Sequence, residues 1–252
     1  MRGDIVIRGI YSSAAGMIAE SLRNDTIANN LANANTAGYK KDIAVTQDFA
    51  SMLIYRINDG AQAPAIGRLG AGALVNEVAT IHTTGMMRPT GNNLDTAIEG
   101  RGYFTVETPN GLRYTRNGTF SMNAQGELVN GEGFRVVGEN GPILIQGGKV
   151  TIGEDGGVQV DGVEVNRIQL VDFADEKRLV KEGHTLMSAP ADLAARPATG
   201  LIRQGVLEMS NVNIVSEMVN MISGYRAYEV NSKVVQAHDQ LLDKAVNEVG
   251  RT

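Results

Sequence analysis

At 252 residues the chain has length for one large domain or two modest ones, each with a buried core. A formal charge of −5 and a pI near 5.3 leave no overall basic field to attract nucleic acid or an anionic membrane. The absence of cysteine excludes disulfides, and the absence of tryptophan, with only 5% aromatic residues, points to an aliphatic core.

No uncharged apolar run approaches the ~20 residues needed to span a bilayer, and Met1–Gly9 lacks the apolar stretch of a secretory signal. Direct membrane insertion is therefore not expected. Arg2-Gly3-Asp4 spells an adhesion tripeptide, but three residues carry little specificity.

The first predicted element is a helix from about Ile10, in which Ala14, Met17, Ile18, Leu22, Ile27 and Leu31 stack on one face. Ser12 or Ser13 is the candidate cap. The helix stops where Asn33, Asn35 and Thr36 compete with the backbone for hydrogen bonds and Gly38 admits a left-handed conformation. Asn29, Asn30, Asn33 and Asn35 then stand as amides among alanine and leucine. Composition alone reads this as a fraying helix end and a turn; the sharper reading is a surface built to meet copies of itself.

Beyond Lys41, the residues Phe49, Met52, Leu53, Ile54 and Ile57 predict a short element broken at Asn58-Asp59-Gly60. Ala61–Ala73 is rich in Gly, Ala and Pro, which suits either a linker or an arm that orders against a neighbour. From about Leu74 to Leu207 the pattern alternates and the glycines arrive with turn partners. Val158–Val165 reads as a hairpin turned by Asp161-Gly162 with its valines on one face, and Tyr103–Val106 pairs with Leu112–Tyr114 across Asn110-Gly111. A third hairpin joins Thr119–Met122 to Glu127–Val129 around Asn123-Ala124-Gln125-Gly126. Short strands with glycine turns predict an all-β domain, a sandwich or a distorted barrel.

From Asn213 onward the pattern is helical again, with Asn213 as cap and Glu217 in the first turn. Val215, Met218, Ile222 and Tyr225 form one stripe, continued by Val230, Val234, Ala237, Leu241 and Ala245. Roughly 35 residues of helix extend about 50 Å, which requires another helix to lie on. The N-terminal helix is the natural partner, giving an α+β fold: a coiled-coil-like pair of terminal helices with the β domain inserted between them; the alternative is that both helices simply pack on the β domain. The expected segmentation is 1–38 helical, 39–75 connecting, 76–208 β and 209–252 helical.

The residues supply no catalytic constellation. His82, His184 and His238 are isolated, with no metal-ligand spacing around them. Gly147-Gly148-Lys149-Val150 lacks the Walker spacing, and Gly-x-Ser-x-Gly is absent. No catalytic, cofactor or metal residue is nominated, and an enzyme is not expected.

Two long stretches carry a resemblance. Ile7-Arg8-Gly9-Ile10-Tyr11-Ser12-Ser13-Ala14-Ala15-Gly16-Met17, followed by Asn29-Asn30-Leu31-Ala32-Asn33-Ala34-Asn35-Thr36-Ala37-Gly38-Tyr39-Lys40, resembles the N-terminal signature of flagellar axial proteins, the rod and hook family. Gly205–Asn213, Met218-Val219-Asn220-Met221-Ile222 and Arg226-Ala227-Tyr228-Glu229 are similar to that family's C-terminal signature. Tyr114–Phe120 with Gly126-Glu127-Leu128-Val129 resembles its outer-domain pattern.

The resemblance implies a structural subunit of the bacterial basal-body rod, of the FlgF or FlgG type. Such a subunit polymerises into a helical tube that transmits torque and encloses the export channel. Its implied partners are itself, other rod and hook axial proteins and the flagellar type III export apparatus, with export proceeding without a cleaved signal peptide. The implied location is the rod of the flagellum basal body, outside the cytoplasmic membrane. The implied subunit-interface residues are Met17, Ile18, Leu22, Ile27, Asn29, Asn30, Leu31, Asn33, Asn35, Val215, Met218, Ile222, Tyr225, Val234 and Leu241. Family members tend to begin at the equivalent of Val6-Ile7-Arg8-Gly9, so the native start is expected at Val6. The alternative of a different class is a soluble binding or adhesion module carried on a helical stalk.

Overall fold

The computed structural model describes residues 3–48, 52–55, 65–69 and 72–249. It contains two long helices, α1 (Gly3–Ala32) and α2 (Ile214–Lys244), with a β-rich region between them in sequence. The fold is thus α+β. By contacts the chain divides into two compact units. One comprises residues 1–31, 42–79 and 214–252, the other 32–41 and 80–213.

In the helical unit α1 begins a full seven residues before the expected start at Ile10, because nothing in Gly3–Gly9 breaks a helix once Ile10 is helical. Arg2 of the adhesion tripeptide lies outside the described residues, whereas Gly3 and Asp4 open α1. α2 starts directly after Asn213 and gives way to a π-helical turn at Ala245–Val249. Four strands occupy the span between the helical N-terminus and the β-rich region: Asp42–Asp48 pairs with Ala73–Thr80, and Met52–Tyr55 pairs antiparallel with Ala65–Leu69. Phe49, Ile57, Asn58-Asp59-Gly60 and Ala61–Pro64 fall outside the described residues.

The β unit is built on hairpins. Strands Tyr103–Thr108 and Gly111–Thr115 pair from Phe104↔Thr115 to Thr108↔Gly111. The turn residues are therefore Pro109-Asn110, one position earlier than expected: proline fixes the negative φ and Gly111 takes the positive one, φ 100°. The other edge of Tyr103–Thr108 is shared, with Arg135–Gly138 at Val106–Glu107 and Leu170–Asp172 at Tyr103–Phe104. Phe120–Met122 and Leu128–Asn130 form the third expected hairpin, where Asn123 Oδ1 accepts from the backbone N–H of Gln125 and Glu127.

The hairpin of Gly157–Val160 and Val163–Arg167 turns at Asp161 (φ 51°) and Gly162 (φ 86°) as expected. Its valines do not share one face. A bulge leaves Val165 unmatched and exposed and sets Asn166, which is buried, opposite the fully buried Val158; Val163, next to the turn, is exposed as well. The Asn166 amide donates to the carbonyl oxygens of Gly141 and Pro142, which satisfies it there.

The main core is aliphatic, as the composition implies. Ile98, Val106, Leu128, Val136, Ile143, Val158 and Ile202 surround the edge-to-face pair Phe104–Phe120, whose centroids lie 5.0 Å apart. Each fully buried Leu or Ile contributes about 1.5–3 kcal/mol. A smaller cluster gathers Tyr103, Val171, Phe173, Leu179 and Met187.

Candidate assembly interface

The two helices meet through small and polar residues. A Cβ built on Gly9 would lie 2.5 Å from Nε2 of His238, one on Gly16 3.0 Å from Nδ2 of Asn231, and one on Gly224 2.3 Å from Oδ1 of Asn24. As α1 advances from 9 to 16 to 24, its partner in α2 retreats from 238 to 231 to 224. The helices run antiparallel along this seam. Asn24 and Glu217 are buried, and Glu20 Oε2, Asn24 Oδ1 and His238 Nδ1 are buried without a hydrogen-bond partner. Glycine lets side chains of the facing helix approach the backbone, an approach that an apolar stripe of Val, Ile and Tyr would block.

The apolar stripe of α2 was expected to lie on α1, and it does not. Val215, Met218, Val219, Ile222 and Tyr225 recur at helical spacing and are all exposed, Val215 at 71% and Ile222 at 53%. Val234 and Leu241 continue the exposed set, and α1 adds Tyr11, Ile18 at 63% and Leu22. The usual arrangement is largely reversed: polar Asn24 and Glu217 are buried, alongside Ala19 and Ile27 of α1, while most large apolar side chains of α2 lie on the open side.

The remaining nominated residues divide. Asn29 and Asn35 are exposed, Met17 and Leu31 half-buried, and Ile27, Asn30 and Asn33 buried. Asn30 closes the chain on itself: its Nδ2 donates to the Asp42 carbonyl at 2.7 Å and its Oδ1 accepts from the Asp42 N–H at 2.9 Å. Thr36 Oγ1 donates to Asn33 Oδ1 at 3.3 Å. Asn29 lines a groove with Leu22, Asp25, Thr26, Asp42 and Val75–Val78.

Within the β unit, the stretches that carry the resemblance converge on a buried charge cluster. The side chains of Lys40 and Glu208 are 1% and 0% exposed. Lys40 Nζ donates to Glu208 Oε1 and, at 2.8 Å, to the Thr83 carbonyl. Arg116 Nη1 lies 3.4 Å from Glu208 Oε2, and its Nη2 donates to the Gly100 carbonyl at 2.9 Å. Glu208 Oε1 also accepts from the Gly85 N–H at 3.0 Å. Burial pushes the Lys40 ammonium below the usual lysine value, and the Glu208 carboxylate opposes that shift.

Backbone bonds reinforce the cluster. Gly38 N–H donates to the Glu208 carbonyl at 2.7 Å and Ile81 N–H to the Lys41 carbonyl at 2.8 Å. Asn211 Oδ1 accepts from Lys41 N–H, while its Nδ2 donates to the Ile81 and Thr83 carbonyls. Residues 38–41, 81–85 and 208–211 are thereby stitched into one clasp. Sequence reasoning missed the clasp. The available signal was Glu208 itself, a carboxylate between Leu207 and Met209 on a short strand. Among the described residues no group of three or more histidines and carboxylates is placed to hold a metal ion, and no helix is long and apolar enough to cross a membrane.

Comparison with known proteins bears on these surfaces. Three family profiles match in order: "Flagella basal body rod protein" at residues 10–40, "Flagellar hook protein FlgE/F/G D1 domain" at 97–160, and "Flagellar basal body rod FlgEFG protein C-terminal" at 203–248. The flagellar basal-body rod protein FlgG of Bacillus subtilis is 35% identical over 96% of this chain and 99% of its own length. FlgG of Borreliella burgdorferi is 36% identical over 96% of this chain and 98% of its own, and FlgG of Caulobacter vibrioides 37% identical over 94% and 97%. Lys40, Arg116, Glu208 and most of both helices fall inside the matched segments, whereas residues 81–85 of the clasp lie between them, and the chain belongs to the flagellar basal-body rod family of FlgG and its FlgE/F/G relatives.

Proposed function

We propose that this structural rod subunit polymerises through the exposed apolar faces of α1 and α2, forming a helical tube that transmits torque and encloses an export channel. The observation that carries the reading is the reversed helix pair. Ile18, Leu22, Val215, Met218, Ile222, Tyr225, Val234 and Leu241 remain in water in the single chain, although burial of each is worth about 1.5–3 kcal/mol. Such residues repeated around a lattice build a stiff polymer from contacts that are individually modest. Exposed Asn29, with half-buried Met17 and Leu31, extends this surface, while Ile27 and Asn30 are buried in the helical unit; in the β unit Asn35 is exposed and Asn33 buried.

In the same reading the helices form a coiled-coil-like pair whose register the glycine contacts support. The β domain closes as a sandwich or distorted barrel. The protein acts by assembly and not by catalysis, with other rod and hook axial proteins and the export apparatus as partners. Similarity to FlgG proteins along nearly the whole chain supports the FlgG type. The test is electron microscopy of basal bodies from cells lacking the chain, with motility scored alongside. Absent or truncated rods are expected; intact rods with normal swimming would overturn the proposal.

A further inference from the structure

His82 stands beside the clasp. Its Nδ1 lies 2.9 Å from the Tyr103 hydroxyl, and that hydroxyl donates to Glu176 Oε2 at 3.3 Å. Tyrosine has one proton to give, so with Glu176 ionised the proton between histidine and tyrosine belongs to Nδ1. Glu176 is fixed in turn by Arg101, whose Nη2 lies 3.0 Å from its Oε1 and 3.3 Å from Asp172 Oδ1. Nε2 of His82 is therefore the bare nitrogen of a neutral ring, and it is buried with no hydrogen-bond partner.

The surroundings do not welcome a second proton there. Lys40, Arg116 and Lys181 act on the ring as cations, against one nearby carboxylate, Glu176. Arg116 also lies over the Tyr103 ring, 5.2 Å from its centroid, and holds Glu208. Lys40 bonds the carbonyl of Thr83, the residue next to His82, and Lys181 bonds the carbonyl of Lys40 at 2.6 Å. A proton on Nε2 thus adds a positive charge to a group whose own carboxylates, Glu176, Asp172 and Glu208, are already bonded to Arg101, Lys40 and Arg116.

We propose that His82 is an acid-sensitive latch: neutral, it completes the bonded chain from Tyr103 to Glu176, and protonated, it loosens the clasp that joins residues 38–41, 81–85 and 208–211. The direction of the ring's titration agrees. Burial, the largest cause, holds its pKa below the usual 6.5, with Lys40, Arg116 and Lys181 adding to the shift and Glu176 opposing it. A histidine depressed in the folded state binds its proton more readily when unfolded, so its stabilising effect is present above pH 6.5 and is lost as pH falls from that value through the ring's lower folded-state pKa. The latch is independent of the assembly reading.

The experiment follows the full chain from pH 7.5 to 5.0 by urea unfolding, with pulse-labelling hydrogen exchange reading strands Tyr103–Thr108 and Leu128–Asn130. A second measurement titrates the imidazole protons by NMR. The β unit's folding constant is expected to fall progressively as the pH drops below 6.5. His82→Gln should abolish that fall, and His184→Gln, at an exposed position, should leave it unchanged. The His82 ring should titrate below the usual 6.5. An undiminished acid loss in His82→Gln, or a His82 ring that titrates at or above 6.5, would overturn the latch. Should His82→Gln fail to fold at pH 7.5, the wild-type titration decides alone.

Discussion

Gly224 and Asn24 approach so closely that a Cβ on the glycine would lie 2.3 Å from the asparagine's Oδ1. That contact fixes which face of α2 turns toward α1. Gly224→Val therefore tests the seam. Ordinarily a side chain in place of a helical glycine stabilises a helix by up to ~1 kcal/mol. Here the buried Asn24 has to move, and overpacking of this kind costs about 1–3 kcal/mol. Thermal melting of the helical signal should shift downward; an upward shift would show that the two helices do not meet at this point.

The clasp predicts an asymmetric response to removal of its charges. Lys40→Met leaves Glu208 with Arg116 and the Gly85 N–H, whereas Glu208→Gln leaves both cations buried without a carboxylate. Breaking a buried pair costs about 3–5 kcal/mol, so Lys40→Met should fall at the low end and Glu208→Gln at the high end. The double variant should lose less than the sum of the singles. Urea unfolding read at the β strands measures all three.

Two glycines with left-handed backbones should respond differently to alanine. At Gly38, φ 69°, a Cβ would sit 2.2 Å from the Asn117 backbone nitrogen, and at Gly91, φ 74°, it would meet nothing within 4 Å. Gly91→Ala carries only the conformational cost, about 1 kcal/mol. Gly38→Ala must also displace backbone inside the clasp and should lose at least about 2 kcal/mol more. Equal losses in urea unfolding would remove the close approach from the account.

Tyr103 supplies a prediction at the alkaline end. Burial, aided by Glu176, raises its phenol above the usual 10.0. The unfolded phenol ionises first, so the folded state holds the extra proton and stability falls as pH rises above 10. Tyr103→Phe should remove that part of the alkaline loss while costing about 0.5–1.5 kcal/mol at neutral pH, through the lost bridge from His82 to Glu176. Parallel unfolding curves at pH 7.5 and 10.5 provide the check.

Local chemistry made much of this fold legible. The Asp161-Gly162 turn, the Asn123 turn and the start of α2 after Asn213 each follow from residues within a few positions of one another. What sequence hid was long-range. Lys40 and Glu208 are 168 positions apart, and neither pattern nor charge predicts that one neutralises the other. Periodicity found the stripe Val215, Met218, Ile222 and Tyr225 correctly but assumed that apolar faces pack within the chain. In this protein Gly9, Gly16 and Gly224 face the partner helix instead. Val165 failed for a third reason, since one bulge residue exchanges the faces of everything beyond it.

The most direct measurement concerns the open face of α2. Ile222 is 53% exposed, so Ile222→Asp should leave the single chain folded. The comparison is electron microscopy of basal bodies from cells whose only copy carries Ile222→Asp, beside hydrogen exchange on the purified variant. Truncated rods and lost motility, with unchanged protection in the β unit, are the predicted result. Full-length rods and normal swimming would contradict the claim that the apolar helix faces build the polymer.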